Sequence, residues 1–419
     1  MRLLPLAWRS LRNRVFTAML TTFTIALSIC LLLGVERIRT EARESFASTV
    51  SGTDLIVGAR SGPVNLLLYA VFHIGDATNN VSWQSYREIS ALPDVAWSVP
   101  ISLGDSHRGF RVMGTTAEFF ERYRYGAKHQ LAFAAGKPFD DIYDAVIGAE
   151  VARKLGYRLG DSIVVAHGTG SVAISEHKDK PFRIAGILAR TGTPIDATVM
   201  ISVEAIEAIH VDWQSGVQLP GAAVSAEQAR ALDLTPKTIT AFLLGLKSRV
   251  ATFGVQREIN EYGAEPLLAI LPGVTLQQLW SLVGVAENAL LLVSALVVLV
   301  GLAGMVTALV TTLGERRREM AILRALGARP HQVFGLLLLE AVLLTLAGML
   351  AGVALLYLSL ALGKGLLLDR YGISIAMSAP TGGELFVLGA VLGAGMIAGT
   401  IPAVLAYRHS LADGLTLRN

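Results

Sequence analysis

Residues 290–313 read LLLVSALVVLVGLAGMVTALVTTL, a run with no ionised side chain. A helix rising about 1.5 Å per residue needs about 20 apolar residues to cross a hydrocarbon core about 30 Å thick, and this run meets that length. Phe16–Val35, Val333–Leu362 and Leu385–Tyr407 meet it too, and of the four only the third carries an ionised residue, Glu340. No such run occurs between Glu36 and Leu282. The pattern predicts an α-helical membrane protein with four transmembrane helices in a 1+3 arrangement. A large α/β or α+β extracytoplasmic domain is then inserted between helices 1 and 2. The composition averages two unlike parts: 53% hydrophobic and 16% charged residues, where a soluble chain carries about 25% charged. A single Cys excludes an internal disulfide and a multi-cysteine zinc module.

Basic residues near the run ends set the expected orientation, because they are retained on the cytoplasmic side. Arg2, Arg9, Arg12 and Arg14 precede the first run; Arg316, Arg317, Arg318, Arg324 and Arg329 lie between the second and third; Arg408 and Arg418 follow the fourth. The segment between the third and fourth has only Lys364 and Arg370. The expected order is therefore a cytoplasmic N-terminus (1–15), a first span (16–35), an extracytoplasmic domain with stalk helices (36–282) and a second span (283–313). A cytoplasmic loop (314–332), a third span (333–362), a short outer loop (363–384), a fourth span (385–407) and a cytoplasmic C-terminus (408–419) follow. The domain holds 23 basic and 26 acidic residues, net −3, and the remainder 13 and 7, net +6, so the basic balance belongs to the cytoplasmic face and implies no nucleic-acid surface. The first run reads as an uncleaved anchor, since Leu33-Gly34-Val35-Glu36 is a poor cleavage site. Cys30 reads as a small hydrophobe within it.

Within the domain, Ser162–Ala166, Phe182–Leu188 and Thr198–Ser202 read as strands, and Ala145–Leu155 and Ser202–His210 as helices, the latter capped by Ser202. Gly168–Ser171 and Thr191–Pro194 read as turns. Six of eight histidines (His73, His107, His129, His167, His177, His210) fall here. None has the short spacing that sets two ligands on one helix face, so they read as scattered surface groups and no metal site is expected. Asp140, Asp141 and Asp144 read as a solvated turn. Gly52–Arg60 followed by the apolar Val64–Ile74 reads as a buried strand and helix, or as an apolar surface for a lipid-like ligand or partner. Gly-x-Ser-x-Gly, His-Glu-x-x-His and Gly-x-x-x-x-Gly-Lys-Ser/Thr are absent from the sequence, so the chain is expected to have no catalytic residues and to bind no cofactor of its own.

The loop after the second run reads Glu315-Arg316-Arg317-Arg318-Glu319-Met320-Ala321-Ile322-Leu323-Arg324-Ala325-Leu326-Gly327-Ala328-Arg329. A helix there places Met320, Leu323 and Gly327 on one face and stops at Gly327, before Pro330. This acidic-basic stretch resembles the MacB/FtsX-like permeases of ABC transport systems. The resemblance extends over Val146–Ile163, Phe182–Leu188, Thr191–Pro194 with Asp196, and Thr400–Leu411, although a usual basic pair is reduced to Arg408 and His409.

That resemblance implies a homodimer in the bacterial inner membrane, gripped by two copies of an ABC ATPase that uses ATP and Mg. Glu315, Arg316, Arg317, Arg318, Glu319 and Arg324 would contact the ATPase, with Met320, Leu323 and Gly327 as the packed face. Mechanotransmission to the outer domain would then drive export, extraction or activation of a substrate or partner, with a periplasmic adaptor or binding protein as a further partner. Glu340, near the cytoplasmic end of its run, is expected to pair with a neighbouring helix or with the loop. Gly348 with Gly352 and Gly389 with Gly393 are expected to let helices approach closely, within a subunit by default or across a dimer. The rival reading is a transmembrane sensor or regulator without transport, linked to metal homeostasis by the outer histidines.

Overall fold

The computed structural model describes residues 3–168, 175–214, 217–218, 224–314, 322, 327–371 and 378–412. Two compact units emerge, Met1–Glu41 with Gly284–Asn419, and Ala42–Val283.

Four helices are long and apolar enough to cross a membrane, within Val15–Glu41, Pro272–Thr311, Pro330–Gly363 and Gly382–Arg408. They belong to continuous helices Val15–Ser48, Pro272–Thr311, Pro330–Tyr371 and Gly382–Ala412. Ile25, Ile29 and Leu33 pack with Val298, Leu302 and Met305 and with Ala341 and Leu344. Facing away from this seam, Phe16 and Phe23 remain exposed. Outward apolar side chains suit a lipid solvent, in which small residues and close packing replace the hydrophobic effect between helices. A Cβ on Gly348 would lie 2.5 Å from Ile25 Cγ2, and one on Gly352 2.7 Å from the Ala26 carbonyl oxygen.

The second unit is built on one mixed sheet of twelve strands: β1 (Leu55–Ala59), β2 (Val95–His107), β3 (Phe110–Thr115), β4 (Phe133–Gly136), β5 (Asp144–Ile147), β6 (Ser162–Ile163), β7 (Ala166–His167), β8 (Ser175–Glu176), β9 (Phe182–Leu188), β10 (Thr198–Ser202), β11 (Ala241–Leu246) and β12 (Leu267–Ile270). The main path runs β12-β1-β11-β2-β3-β10-β5-β9-β4; β7 joins β2 to β8, and β6 pairs with β9. Pairs β3/β10 and β5/β9 are parallel, the rest antiparallel. Both faces of the central strands are covered. In β1, Ile56 joins a core with Leu66 and Leu67, while Leu55, Val57 and Ala59 join another with Phe242 and Leu244. The helix Pro63–Phe72 buries Leu66, Leu67, Tyr69, Ala70, Val71 and Phe72. The apolar stretch after Gly52 is thus a buried strand and helix rather than an exposed surface.

Two sequence expectations change. Ala145–Leu155 is not one helix: Asp144–Ile147 is a central strand and only Ala149–Leu155 is helical. Pairing with β9 on one side and β10 on the other, and complete burial of Ala145, Val146 and Ile147, override the local helix tendency. Ser162–Ala166 is likewise broken into β6 and the start of β7, which pair with different strands. Phe182–Leu188 and Thr198–Ser202 are strands, and Ser202 caps Val203–His210 by accepting from the Ala205 amide at 3.0 Å. The turn at Thr191–Pro194 is drawn around Asp196, whose carboxylate accepts from the amides of Thr191 and Gly192, both at 2.8 Å.

His73 closes the helix Pro63–Phe72 in the left-handed conformation (φ 56) with Nδ1 3.0 Å from Thr198 Oγ1. Burial, with the nearby Arg111 charge, lowers its pKa to about 4. The folded value lies below the unfolded one of about 6.5, so the neutral ring's contribution is complete above that pH. It is lost as pH falls through about 4. For full burial the loss would reach about 3 kcal/mol, and it is smaller for this half-buried ring. His73→Asn, which keeps a residue tolerant of this conformation, is expected to flatten the decline in urea midpoint between pH 6.5 and 4, followed by tryptophan fluorescence of the full chain. An unchanged decline would remove His73 from the acid response.

Candidate functional site

Of the expected coupling residues, Glu315, Arg316, Arg317, Arg318, Glu319, Met320, Leu323 and Arg324 lie outside the described residues. Gly327 is described and adopts φ +92, a turn conformation that favours glycine, immediately before the helix beginning at Pro330. Glu340 is buried in a recess it shares with Ser10, Arg14, Thr17, Thr21 and Thr312, and Arg14 Nη1 donates to the Thr312 carbonyl at 3.1 Å. Gly348 and Gly352 face Ile25 and Ile29 at close range, whereas a Cβ on Gly389 or Gly393 meets nothing within 4 Å. On that helix the close approaches are made at Gly395 against Thr345 and at Gly399 against Ala341.

A second buried polar group in this unit was not expected. Arg37 is 4% exposed, donates to the Ser378 carbonyl at 2.6 Å and to its hydroxyl at 2.8 Å, and lies 3.7 Å from both Glu41 and Glu384. Thr381 and Glu384 form a reciprocal cap at the start of Gly382–Ala412. The side chain of Arg37, two residues beyond the apolar run, therefore fixes the start of the last helix.

In the sheet unit the three neighbouring aspartates each have a cation: Asp140 with Lys137, Asp141 with Arg230 through two bonds of 2.6 and 2.7 Å, and Asp144 with Arg183 at 2.9 Å. They form separate ion pairs rather than one carboxylate site.

The histidines do not scatter. Antiparallel pairing of β7 with β2 sets His167 directly opposite Asp105, with Nδ1 3.1 Å from Oδ1. Pairing of β8 with β7 returns the chain so that His177 follows immediately, and the helix Val203–His210 delivers His210 at its last position. His210 Nε2 lies 3.3 Å from His167 Nδ1 and 3.8 Å from Asp105 Oδ1. One ligand atom from each of Asp105, His167, His177 and His210 falls within 4.8 Å of every other. Trp213 walls the group, its ring centroid 4.8 Å from that of His167 and 4.5 Å from that of His177. Beside Trp213, Asp212 and Lys180 form a fully buried ion pair at 2.7 Å. His177 is 0% exposed; its burial, then the charges of His167 and His210, lower its pKa to about 4. His107 is not part of the group: its Nδ1–H donates to the Val164 carbonyl at 2.6 Å, and Nε2 accepts from the Tyr157 hydroxyl at 2.9 Å. No spacing rule would have found the cluster, because each member sits on a different element between positions 105 and 210. The one sequence sign is a histidine on each side of the stretch 168–176, of which 169–174 lie outside the described residues.

Helices able to span a membrane, with a mixed-sheet domain between the first and second in chain order, fit a multi-pass membrane protein. The family model for the MacB-like periplasmic core domain matches residues 18–260, and that for the FtsX-like permease C-terminal region matches 291–411. The chain belongs to the MacB/FtsX-like permease family.

Two relatives are pyoverdine export ATP-binding/permease proteins PvdT. That of Pseudomonas entomophila (strain L48) is 25% identical over 341 residues, 78% of this chain and 46% of the relative. That of Pseudomonas syringae pv. tomato is 35% identical over 124 residues, 30% of this chain and 18% of the relative. The chain thus spans less than half the length of these relatives. Among solved structures, the periplasmic region of MacB from Actinobacillus actinomycetemcomitans shows 11% identity and a TM-score of 0.34, covering 55% of this chain and 94% of that one. The extracellular domain of the noncanonic ABC-type transporter YknZ from Gram-positive bacteria shows 11% identity and a TM-score of 0.31, covering 52% and 99%.

Proposed function

We propose that this chain is the membrane subunit of an ATP-driven complex of the bacterial inner membrane, with both described ends of the helical unit and the loop 314–332 cytoplasmic and the sheet domain outside. Two copies of the chain pair with two copies of an ATPase, which binds ATP and Mg and grips residues 315–329. Closure of the ATPase shifts the helices and works the outer domain, by mechanotransmission, on a substrate or partner to be exported, extracted or activated. A periplasmic adaptor or binding protein would meet that domain. The observation that carries this reading is the matching of both the inserted domain and the last helices to one permease family. The distribution of arginines supports the orientation. The apolar character of the spans supports mechanical transmission over a hydrophilic path, since intramembrane charges mark such paths.

Co-expression with the ATPase subunit tests the coupling role. Reversing charge at Arg316, Arg317, Arg318 and Glu319 is expected to weaken association and lower permease-dependent ATP hydrolysis by more than about ten-fold, as for loss of charge-assisted interface contacts. Unchanged co-purification and hydrolysis would exclude this segment as the grip and favour a regulator that signals without transport.

A further inference from the structure

We infer that Asp105, His167, His177 and His210 form a binding site for a single Zn²⁺ ion in the sheet domain. The inference is independent of ATPase coupling. Zinc bound at about 2.0–2.1 Å by nitrogen and oxygen in a tetrahedron requires ligand atoms about 3.3 Å apart. Three of the separations within the group are 3.1, 3.3 and 3.8 Å. Asp105, His167 and His210 thus already stand at about the spacing of a coordination shell, and a ligand atom of His177 lies within 4.8 Å of each.

Ligand orientation points the same way. His210 Nδ1–H donates to the Ile206 carbonyl at 2.6 Å, which leaves the lone pair of Nε2 directed at Asp105 and His167. A histidine ligand held by a carbonyl at its other nitrogen is the usual arrangement around a metal. His177, wholly buried, has neither ring nitrogen hydrogen-bonded among the described residues. A buried polar group left in that state costs about 1–3 kcal/mol. Without a metal, a proton on His167 Nδ1 can be shared between Asp105 and His210, but that arrangement does nothing for His177. A divalent ion replaces that proton at the centre of the group and satisfies the lone pair of His177.

Chemistry selects the ion. Three imidazoles and one carboxylate suit zinc, whereas calcium and magnesium take oxygen donors. Three neutral rings and one carboxylate leave a net charge of +1 on the loaded site, and Trp213 shields one side of it. The ligands come from β2, β7, the residue after β8 and the end of a helix, so the ion would also clip these elements together.

The test uses the full, untagged chain in detergent. Competition with a chromophoric zinc chelator is expected to show one tight Zn²⁺ per chain. The affinity should fall at least about 100-fold in His177→Ala and in Asp105→Asn, beyond the range for loss of an outer-shell partner. His129→Ala, on an exposed hairpin away from the group, should leave it unchanged. Zinc should raise the melting temperature of the wild type and not of His177→Ala. Should a variant fail to fold, Co²⁺ added to the wild type still decides: a tetrahedral visible absorption band, displaced by Zn²⁺, supports the site. No band, no stoichiometric binding, or binding indifferent to His177 overturns it.

Discussion

Asp212→Ala is expected to destabilise the chain by about 3–5 kcal/mol, because it strands the Lys180 ammonium in the interior without its buried counter-ion. Lys180 and Asp212 are both 0% exposed in their side chains and 2.7 Å apart, and the second Asp212 oxygen accepts from the Val224 amide at 3.2 Å. Asp179, 3.1 Å from Lys180 but 38% exposed, is a solvated partner and compensates only in part. The double variant Lys180→Met/Asp212→Leu should recover most of the loss, since a buried ion pair replaced by apolar side chains of similar volume is often neutral or stabilising. Urea midpoints of the three chains decide the matter. A single-variant loss below about 1 kcal/mol, the range of exposed pairs, would mean that water reaches this pair.

Gly148→Ala is expected to be as severe for a purely steric reason. Gly148 has φ −70 and ψ 158, a conformation open to alanine, so no backbone strain enters. Its missing Cβ, however, would lie 2.2 Å from the Ile195 carbonyl oxygen and 2.3 Å from that of Asp196. These are backbone atoms held by the turn that Asp196 organises, and they cannot rotate away. Overpacking of this kind costs about 3 kcal/mol or more. Gly156→Ala provides the contrast: φ is +72 but the space is open, so only about 1 kcal/mol is expected. If thermal melts of the two variants ranked in the opposite order, the contact between the end of β5 and the Pro194–Ala197 turn would not be as close as described.

What could be read in advance follows from the range of the forces involved. The four apolar runs were legible because membrane crossing depends on local length and polarity alone. The capped helix after Ser202 and the strands at 182–188 and 198–202 were legible for a similar reason, since cap chemistry and β-branched content are local. Ala145–Leu155 was misread because the choice between strand and helix at Ala145-Val146-Ile147 is made by β9 and β10, which lie later in the chain. Within this chain, and among its described residues, the glycines of the last helix that meet a neighbouring helix closely are Gly395 and Gly399, a choice made by how the helices cross and not by the four-residue spacing that Gly389 and Gly393 share. The histidine group was invisible for the strongest version of this reason. His167 meets Asp105 only through strand register, and His210 arrives from a separate helix. The proposed coupling segment rests on its charge pattern in the sequence.

The position of β1 also fixes an order of events during synthesis. Leu55 emerges early, yet its sheet partners, Leu244 on one side and the strand opposite Ile56 ending at Ile270 on the other, are the last parts of the domain to be made. Pairing across so long a stretch of chain is slow, because the entropy of closing the loop is lost before any contact compensates for it. Until the ribosome has passed Ile270, the segment Leu-Ile-Val-Gly-Ala must wait unpaired with both of its edges open. This nascent chain therefore carries a sticky strand until the domain's last strand has been made, a clear occasion for a chaperone on the side of the membrane where the domain matures.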